Sequence, residues 1–190
     1  MNTTWTIYES PVGPLTVVGG PRGVTRLHFP GHAAPMDEQR HDEQRHDPHS
    51  LADAVAQLEQ YFAGRRRSFE LDLDLQGTPF QQSVWAQLAA IPYGETRAYG
   101  ELARAIGRPD RVRAVGAAVG RTPVPIIVPC HRAVGANGTL TGYLGGLALK
   151  RTLLDLEASV SGRRPLPEVL AGRQLSLTSC PNRDTRTIVH

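Results

Sequence analysis

The chain has 190 residues, of which 40% are hydrophobic and 21% charged, an ordinary globular composition that excludes global disorder. Its two cysteines, Cys130 and Cys180, are 50 residues apart and form no CxxC pair, which excludes a zinc knuckle or a disulfide framework. No apolar run approaches the ~18–20 residues of a membrane span, and the first residues do not resemble a signal peptide. We therefore expect a cytoplasmic protein with no membrane partner.

The charge is unevenly distributed along the sequence. Residues 1–96 contain 7 Arg against 12 acidic residues, a net −5, whereas residues 97–132 contain 7 Arg against 2 acidic residues, a net +5. Residues 133–190 contain 7 Lys and Arg against 4 acidic residues, a net +3. A basic C-terminal half favours a polyanionic partner on that side of the protein, although a merely solvated basic face explains the charge alone equally well.

The N-terminal segment is predicted to be rich in strands. Alternating apolar residues predict strands over residues 4–8, 15–18 and 24–29, with a turn at residues 11–14 between the first two. These short strands with tight connections indicate a small sheet.

A mixed-charge, five-residue duplication occupies residues 37–47. It has no apolar face and is interpreted as a surface loop. A solvated repeat is the preferred interpretation of this segment, although a metal site is an alternative because of its histidines, which are His41, His46 and His49. Helical spacing from Leu51 to Phe62 then predicts a helix ending near Gly64, and alternation over residues 69–75 predicts another strand.

Helix signals dominate from residue 77 onward. Thr78 as N-cap, Pro79 and Gln81 predict the start of a helix with a capping box. The expected buried stripe of this helix consists of Phe80, Val84 and Leu88.

Two further short helices are predicted in the basic segment. Residues 99–106 form the first, with Leu102, Ala105 and Ile106 facing inward, and Asp110 is placed to cap the second, residues 111–120. Such a pair is typical of a helix-turn-helix, although paired helices are common.

The second helix of this pair is unusually thin. Its small residues allow either packing in a core or close approach to a nucleic-acid groove; they are Ala114, Gly116, Ala117, Ala118 and Gly120. Arg111 and Arg113 at its start oppose the helix dipole unless an anion binds there, which favours the groove.

An apolar run at residues 124–128 predicts a buried strand that delivers Cys130 and His131. A thiol beside a base and a cation has the features of a nucleophile, although an isolated cysteine is more often buried and inert. A last helix follows, with Leu149, Leu153 and Leu156 on one side and Glu157 near its end. Glu157 is either a surface carboxylate or the residue that orients His131.

The blocks IPYGETRAYGELA, RAVGAA, PVPIIVPCHRAVG and GTLTGYLGGLALKRTLLDLE closely resemble the O6-alkylguanine-DNA alkyltransferases, also called methylated-DNA–protein-cysteine methyltransferases. The resemblance implies an α/β (α+β) fold, with a small ribonuclease-H-like domain over residues 1–76. It also implies a C-terminal winged helix-turn-helix domain over residues 77–160, which carries the active-site cysteine. Residues 161–190 are expected to form a flexible tail.

The resemblance also implies a reaction: irreversible transfer of the alkyl group from O6-alkylguanine, or O4-alkylthymine, to Cys130, once per molecule and without a cofactor or metal. In this scheme His131 is the base that acts on Cys130 through a water. Glu157 orients His131, and Tyr99 assists the departure of guanine and turns the phosphate.

The partner implied is double-stranded DNA with an alkylated base, which must be flipped out of the duplex. Arg113 is expected to fill the vacated place in the base stack, and the rest of its helix to line the DNA through Arg111, Ala114, Ala117 and Ala118. We expect a monomer in solution and leave open whether it binds DNA cooperatively.

The implied substrate pocket consists of Val128, which offers its carbonyl, and of Tyr143, Pro125, Thr122 and Gly145. Thr122 departs from the family pattern, which normally has asparagine before this proline. Threonine lacks the second hydrogen-bonding arm of an amide, so it is expected to satisfy this turn only in part.

Two other classes of protein remain as alternatives. One is a DNA-damage sensor of the same architecture that does not transfer the alkyl group, against which the presence of Cys130 argues. The other is a cysteine hydrolase using Cys130 and His131, which would leave the basic helix pair unexplained.

Overall fold

A four-stranded sheet and one helix form the N-terminal part of the protein, as seen in a computed structural model that describes residues 3–31 and 44–163. The sheet has the order β3-β2-β1-β4, in which β4 runs parallel to β1 and the other neighbours are antiparallel. Its strands are β1 (Thr3–Ser10), β2 (Gly13–Gly20), β3 (Gly23–His28) and β4 (Gln44–His46), and the helix is α1 (Ala52–Phe62). The three predicted N-terminal strands and the helix are thus confirmed.

The β1–β2 hairpin is closed by local interactions that the sequence specifies. Gly13 adopts a φ of +100°, a conformation that residues with a Cβ rarely take, and the Ser10 hydroxyl donates to its carbonyl at 2.6 Å. The sheet covers α1 with fully buried side chains, among them Leu15 and Leu27, which join Leu58 and Tyr61 of α1 in one apolar core.

Two predictions for this half are wrong. The duplicated segment is not loop throughout, because Gln44–His46 pairs with β1 as β4; residues 32–43 lie outside the described residues. Residues 69–75 form no strand, since a single bridge joins Leu73 to Val24. Their alternation reflects apolar side chains that pack on the core from an extended segment.

Helices dominate the C-terminal part of the described residues. They are α2 (Pro79–Ala89), α3 (Tyr99–Ala105), α4 (Val112–Val119) and α5 (Gly146–Val160). Two short parallel strands, β5 (Arg97–Ala98) and β6 (Ala133–Val134), join the start of α3 to the segment that follows Cys130. The predicted α/β fold, with N-terminal strands and C-terminal helices, is confirmed. No helix among the described residues is long and apolar enough to cross a membrane.

The capping box predicted for α2 is present. The Gln81 amide N–H donates to the Thr78 hydroxyl at 3.3 Å, and the Thr78 amide N–H donates to the Gln81 side chain at 2.8 Å. Val84 and Leu88 are buried as expected, and Trp85 adds a contact that was not predicted: its indole N–H donates to the Ala118 carbonyl at 3.0 Å. This bond fixes α2 against α4.

Three details of the helix pair differ from prediction. Ala103 is buried in place of Ala105, because a seven-residue helix leaves the apolar face ambiguous. The Asp110 carboxylate does not cap α4, since it accepts from the Arg111 side chain at 3.2 Å. Ala118 packs against α2 and is only 2% exposed, so the prediction that it lies on the DNA-binding surface is wrong.

The apolar run at residues 124–128 is not a strand. It turns back on itself, with the Val128 amide donating to the Val124 carbonyl at 2.9 Å and the Cys130 amide donating to the Val128 carbonyl at 2.7 Å. Ile126 has a φ of +73°, a strained conformation for a β-branched residue, and is fully buried. The core therefore holds this segment in a shape that its apolar sequence does not suggest.

Candidate active site

Cys130 opens a single 3-10 turn, Cys130–Arg132, that follows these tight turns. The thiol is 3% exposed, and burial raises its pKa to about 11. The Tyr143 hydroxyl and the Lys150 ammonium oppose this rise because they stabilise a negative charge on sulfur. The resting thiol is protonated at neutral pH and needs a base to become a nucleophile.

His131 is placed to be that base. Its imidazole is fully buried, and Nε2 lies 2.8 Å from Oε1 of Glu157. Burial lowers the pKa of His131, so the ring is neutral near pH 7. Because an ionised carboxylate only accepts hydrogen bonds, Nε2 carries the proton and Nδ1 is the basic nitrogen. Nδ1 has no hydrogen-bond partner among the described residues.

Glu157 is a buried charge whose oxygens are well provided with donors. Oε1 accepts from Nη2 of Arg132 at 2.9 Å and from the Tyr61 hydroxyl at 2.9 Å, in addition to His131. Oε2 accepts from Nε of Arg132 at 2.9 Å and from the Gly94 amide at 2.9 Å. Burial alone would raise the pKa of Glu157, but the hydrogen bonds from His131 and Arg132 and the positive charge of Arg132 hold it at about 2.

Lys150 is the one lysine of the sequence, and its side chain is fully buried near the thiol. Nζ donates to the Ala133 carbonyl at 2.6 Å and to the Thr141 carbonyl at 3.3 Å. Burial lowers the pKa of Lys150 to about 8, and proximity to Cys130 opposes that shift. The ammonium therefore places a positive charge near the Cys130 sulfur, where it would stabilise a thiolate.

The rings of Tyr99 and Tyr143 both lie close to this cation. Nζ of Lys150 is 5.9 Å from the ring centroid of Tyr99 and 6.0 Å from that of Tyr143. The Tyr99 hydroxyl accepts from Thr141 at 3.2 Å, which leaves its own proton free for another acceptor. Burial raises the pKa of both phenols, so each remains a donor at neutral pH.

Three of the predicted pocket residues belong to the buried segment that leads into Cys130. Thr122 is buried, and its hydroxyl donates to the Val119 carbonyl at 2.8 Å, so it ties the end of α4 to the segment before Cys130. The Val128 carbonyl already accepts from the Cys130 amide, and Pro125 is buried behind it in a bridge with Val128.

Gly145 precedes α5 at a crowded position. A side chain there would collide with Leu149, and it would press on the Phe29 ring from the N-terminal half. That same ring lies 5.7 Å from the ring of Tyr143, centroid to centroid. Gly145 therefore permits close packing behind Tyr143, which is a structural use of the glycine.

The outer surface of α4 is thin and basic. Arg111, Arg113, Ala114 and Ala117 are all exposed, and Arg113 makes no hydrogen bond or ion pair within residues 3–31 and 44–163. A helix whose exposed face carries small alanines beside arginines allows the backbone to approach a phosphate-lined groove closely.

No metal site competes with this interpretation in the part of the chain that the structure describes. That part holds no group of three or more His, Cys, Asp or Glu residues able to bind an ion. His46, one of the histidines of the duplicated segment, packs instead on Trp5, with ring centroids 4.7 Å apart.

Known proteins are similar to this chain over most of its length. The family described as "6-O-methylguanine DNA methyltransferase, ribonuclease-like domain" matches residues 3–75, and the corresponding DNA-binding domain matches residues 79–159. A methylated-DNA–protein-cysteine methyltransferase of Mycobacterium tuberculosis is 51% identical over 155 residues, which are 80% of this chain and 90% of the relative. The chain belongs to the methylated-DNA–protein-cysteine methyltransferase family.

Other members of the family are similar over comparable lengths. A methyltransferase of Methanosarcina acetivorans is 47% identical over 82% of this chain and 98% of its own. The crystal structure of Mycobacterium tuberculosis OGT in complex with DNA matches with a TM-score of 0.77 and 48% identity, over 83% of this chain and 94% of that one.

The sequence analysis did not give three residues their roles in this methyltransferase site. Arg132 was used only as a cation beside the thiol, whereas its side chain is buried in an ion pair with Glu157. Lys150 carried a signal as the single lysine among 20 arginines. Tyr61 carried none, since it lies 96 residues from Glu157 in the sequence.

Proposed function

We propose that Cys130 is the acceptor in this family's reaction, and that the chain removes the alkyl group from O6-alkylguanine in duplex DNA by one irreversible transfer. The observation that carries the proposal is the buried series formed by Cys130, His131 and Glu157, in which Glu157 fixes the tautomer of His131.

The reaction begins with movement of the thiol proton from Sγ to Nδ1 of His131, through a water. The thiolate then attacks the alkyl carbon in line, so that the S–C bond forms as the bond from carbon to O6 of guanine breaks. The departing guanine takes up negative charge, and the Tyr99 hydroxyl donates a hydrogen bond to its ring nitrogen. The product thioether is neutral and cannot release the group.

Burial of Cys130 contributes to this irreversibility. A pKa raised from 9.0 to about 11 makes ionisation costlier by about 3 kcal/mol. This cost is what remains after Tyr143 and Lys150 have lowered the pKa of the thiol from the still higher value that burial alone would give. Alkylation removes the buried charge altogether, so the low-polarity site favours product over the reactive state.

The partner in this scheme is a duplex that carries an alkylated base. The exposed face of α4 enters the groove, and Arg113 takes the place of the base flipped towards Cys130. We further propose a functional division at residue 76, with residues 77–160 performing DNA binding and transfer. The protein acts as a monomer.

Replacement of the acceptor tests this proposal. Cys130→Ser should bind a duplex containing O6-methylguanine but take up no methyl group, because a serine hydroxyl is barely ionised near neutrality and is a poor soft nucleophile. The test uses radiolabelled methyl groups and peptide mapping, with Cys180→Ser as the matched control that should react like the wild type. Methyl groups found on Cys180 in the Cys130→Ser variant would contradict the assignment.

A further inference from the structure

We propose that Tyr61, a residue of the N-terminal half, is a positioning residue of the alkyl-transfer site, and that its hydroxyl lowers the proton affinity of His131 by sharing Oε1 of Glu157. The inference rests on the proposed function, since it concerns the base of that reaction. It gives α1, which lies outside the DNA-binding half, a direct role in the chemistry.

The geometry places two donors on one carboxylate oxygen. Tyr61 Oη lies 2.9 Å from Oε1 of Glu157, and Nε2 of His131 lies 2.8 Å from the same atom. Both side chains are fully buried, so no solvent screens the competition between them. The Tyr61 ring is held in place by surrounding aromatic rings, with centroids 5.3 Å away for Phe62, 5.5 Å for Phe69 and 5.9 Å for Tyr93.

The direction of proton donation is fixed by the chemistry of the pair. Burial raises the pKa of Tyr61 well above its usual value, and the charge of Glu157 raises it further, so the phenol keeps its proton and donates. A carboxylate oxygen that accepts from a phenol has less charge density left to stabilise an imidazolium. Removal of the hydroxyl should therefore raise the pKa of His131.

The Glu157 carboxylate does not need the Tyr61 hydroxyl in order to have hydrogen-bond donors at both oxygens. Without Tyr61, Oε1 would still accept from His131 and from Nη2 of Arg132, and Oε2 would keep both of its donors. A phenylalanine would fill the same aromatic cluster. The hydroxyl thus adds a third donor at the one oxygen that contacts the base.

Charged and titratable groups face the pair from several elements. From its own turn His131 neighbours the Arg132 guanidinium and the Cys130 thiol, and from α5 it faces Glu157 and the Lys150 ammonium. Glu157 in turn faces Tyr61 from α1 and Tyr93 from the segment after α2. Of the two tyrosines, Tyr61 is the one hydrogen-bonded to Glu157.

Tyr93 therefore provides a matched control. Its hydroxyl is buried and has no hydrogen-bond partner among the described residues, and its ring packs against Tyr61 in the same cluster. Tyr61→Phe and Tyr93→Phe each remove a phenolic oxygen from neighbouring rings of one aromatic cluster. Only the first removes a hydrogen bond to Glu157.

The experiment measures the rate of benzyl transfer from free O6-benzylguanine to the intact protein between pH 5 and 9. A free base needs no flipping, so DNA affinity does not enter. The acid limb of the profile reports protonation of His131. We expect Tyr61→Phe to move this limb upward by about 0.5–1 pH unit, and Tyr93→Phe to leave it in place.

Incorporation of 3-fluorotyrosine at position 61 provides a second test that retains the ring and the hydrogen bond. The fluorinated phenol is a stronger donor, so the acid limb should move downward. An unmoved limb in both Tyr61 variants, a downward shift in Tyr61→Phe, or equal shifts in Tyr61→Phe and Tyr93→Phe would overturn the inference. If Tyr61→Phe does not fold, an unmoved limb with 3-fluorotyrosine overturns it alone. Absence of benzyl transfer by the wild type would instead refute the proposed function.

Discussion

Glu157→Gln is the substitution that most severely disturbs the buried site while preserving its shape. Five hydrogen bonds reach the carboxylate, three at Oε1 and two at Oε2, and an amide nitrogen cannot accept those that end on the oxygen it replaces. With the nitrogen at the Oε2 position, the Gly94 amide and Nε of Arg132 lose their acceptor. The Arg132 guanidinium, 5% exposed, also loses its counter-charge.

The size of the effect follows from that uncompensated cation. Removal of one partner of a buried ion pair costs ~3–5 kcal/mol, because the remaining charge is left in a poorly polarisable environment. A domain of ordinary stability unfolds with ~5–15 kcal/mol, so the variant loses a large part of its margin. The rate of alkyl transfer should fall as well, since an amide no longer fixes the tautomer of His131.

A double-mutant cycle with Arg132→Met separates the pair from its surroundings. Arg132→Met alone leaves Glu157 charged and also removes a hydrogen bond of 2.6 Å to the Ile91 carbonyl. Urea unfolding should give the double variant a loss smaller than the sum of the two single losses by ~2 kcal/mol, because neither charge then remains unpaired. A loss below ~1 kcal/mol in Glu157→Gln, or strict additivity in the cycle, would refute the description of a buried, mutually compensated pair.

Three further outcomes are expected. Arg113→Ala should slow repair of duplex DNA more than reaction with free O6-benzylguanine, since a free base needs no extrusion; equal losses on both substrates would contradict the role of Arg113. Thr122→Asn should speed single-turnover transfer about fivefold at saturating DNA, because one amide hydrogen can bond the Val119 carbonyl and the other the Cys130 sulfur; an equal or slower rate would count against this account. The wild type should lose ~3 kcal/mol of stability as pH falls from 4.5 towards 2, because Glu157 has a pKa of about 2 in the folded protein and is protonated more readily when unfolded. Acid unfolding curves of Glu157→Gln should lack this loss.

Local interactions explain which elements could be predicted from the sequence. The α2 capping box depends on residues three apart, so Thr78 and Gln81 specify it by themselves. The strand predicted at residues 124–128 is wrong because a run of apolar residues indicates burial and does not by itself distinguish a strand from a buried turn. The left-handed conformation of Ile126 is imposed by the surrounding core and is not preferred by isoleucine.

The candidate site shows the same division. Cys130 and His131 are adjacent in sequence, and the resemblance to a known family supplied Glu157 and Tyr99. The Tyr61–Glu157 contact arises when α1 packs on the C-terminal half, and nothing in the sequence around residue 61 marks a tyrosine that will meet a carboxylate. Interactions between distant segments depend on the assembled core, which local patterns do not encode.

The central claim is that Cys130 accepts one alkyl group from DNA. The most direct test is the intact mass of the protein after incubation with an excess of duplex containing O6-methylguanine, followed by fragmentation to locate the modification. The account predicts a gain of one methyl group per molecule, confined to Cys130, and no second addition on longer incubation. An unchanged mass despite tight binding would indicate a damage sensor and contradict the account, as would repeated turnover without any modified cysteine.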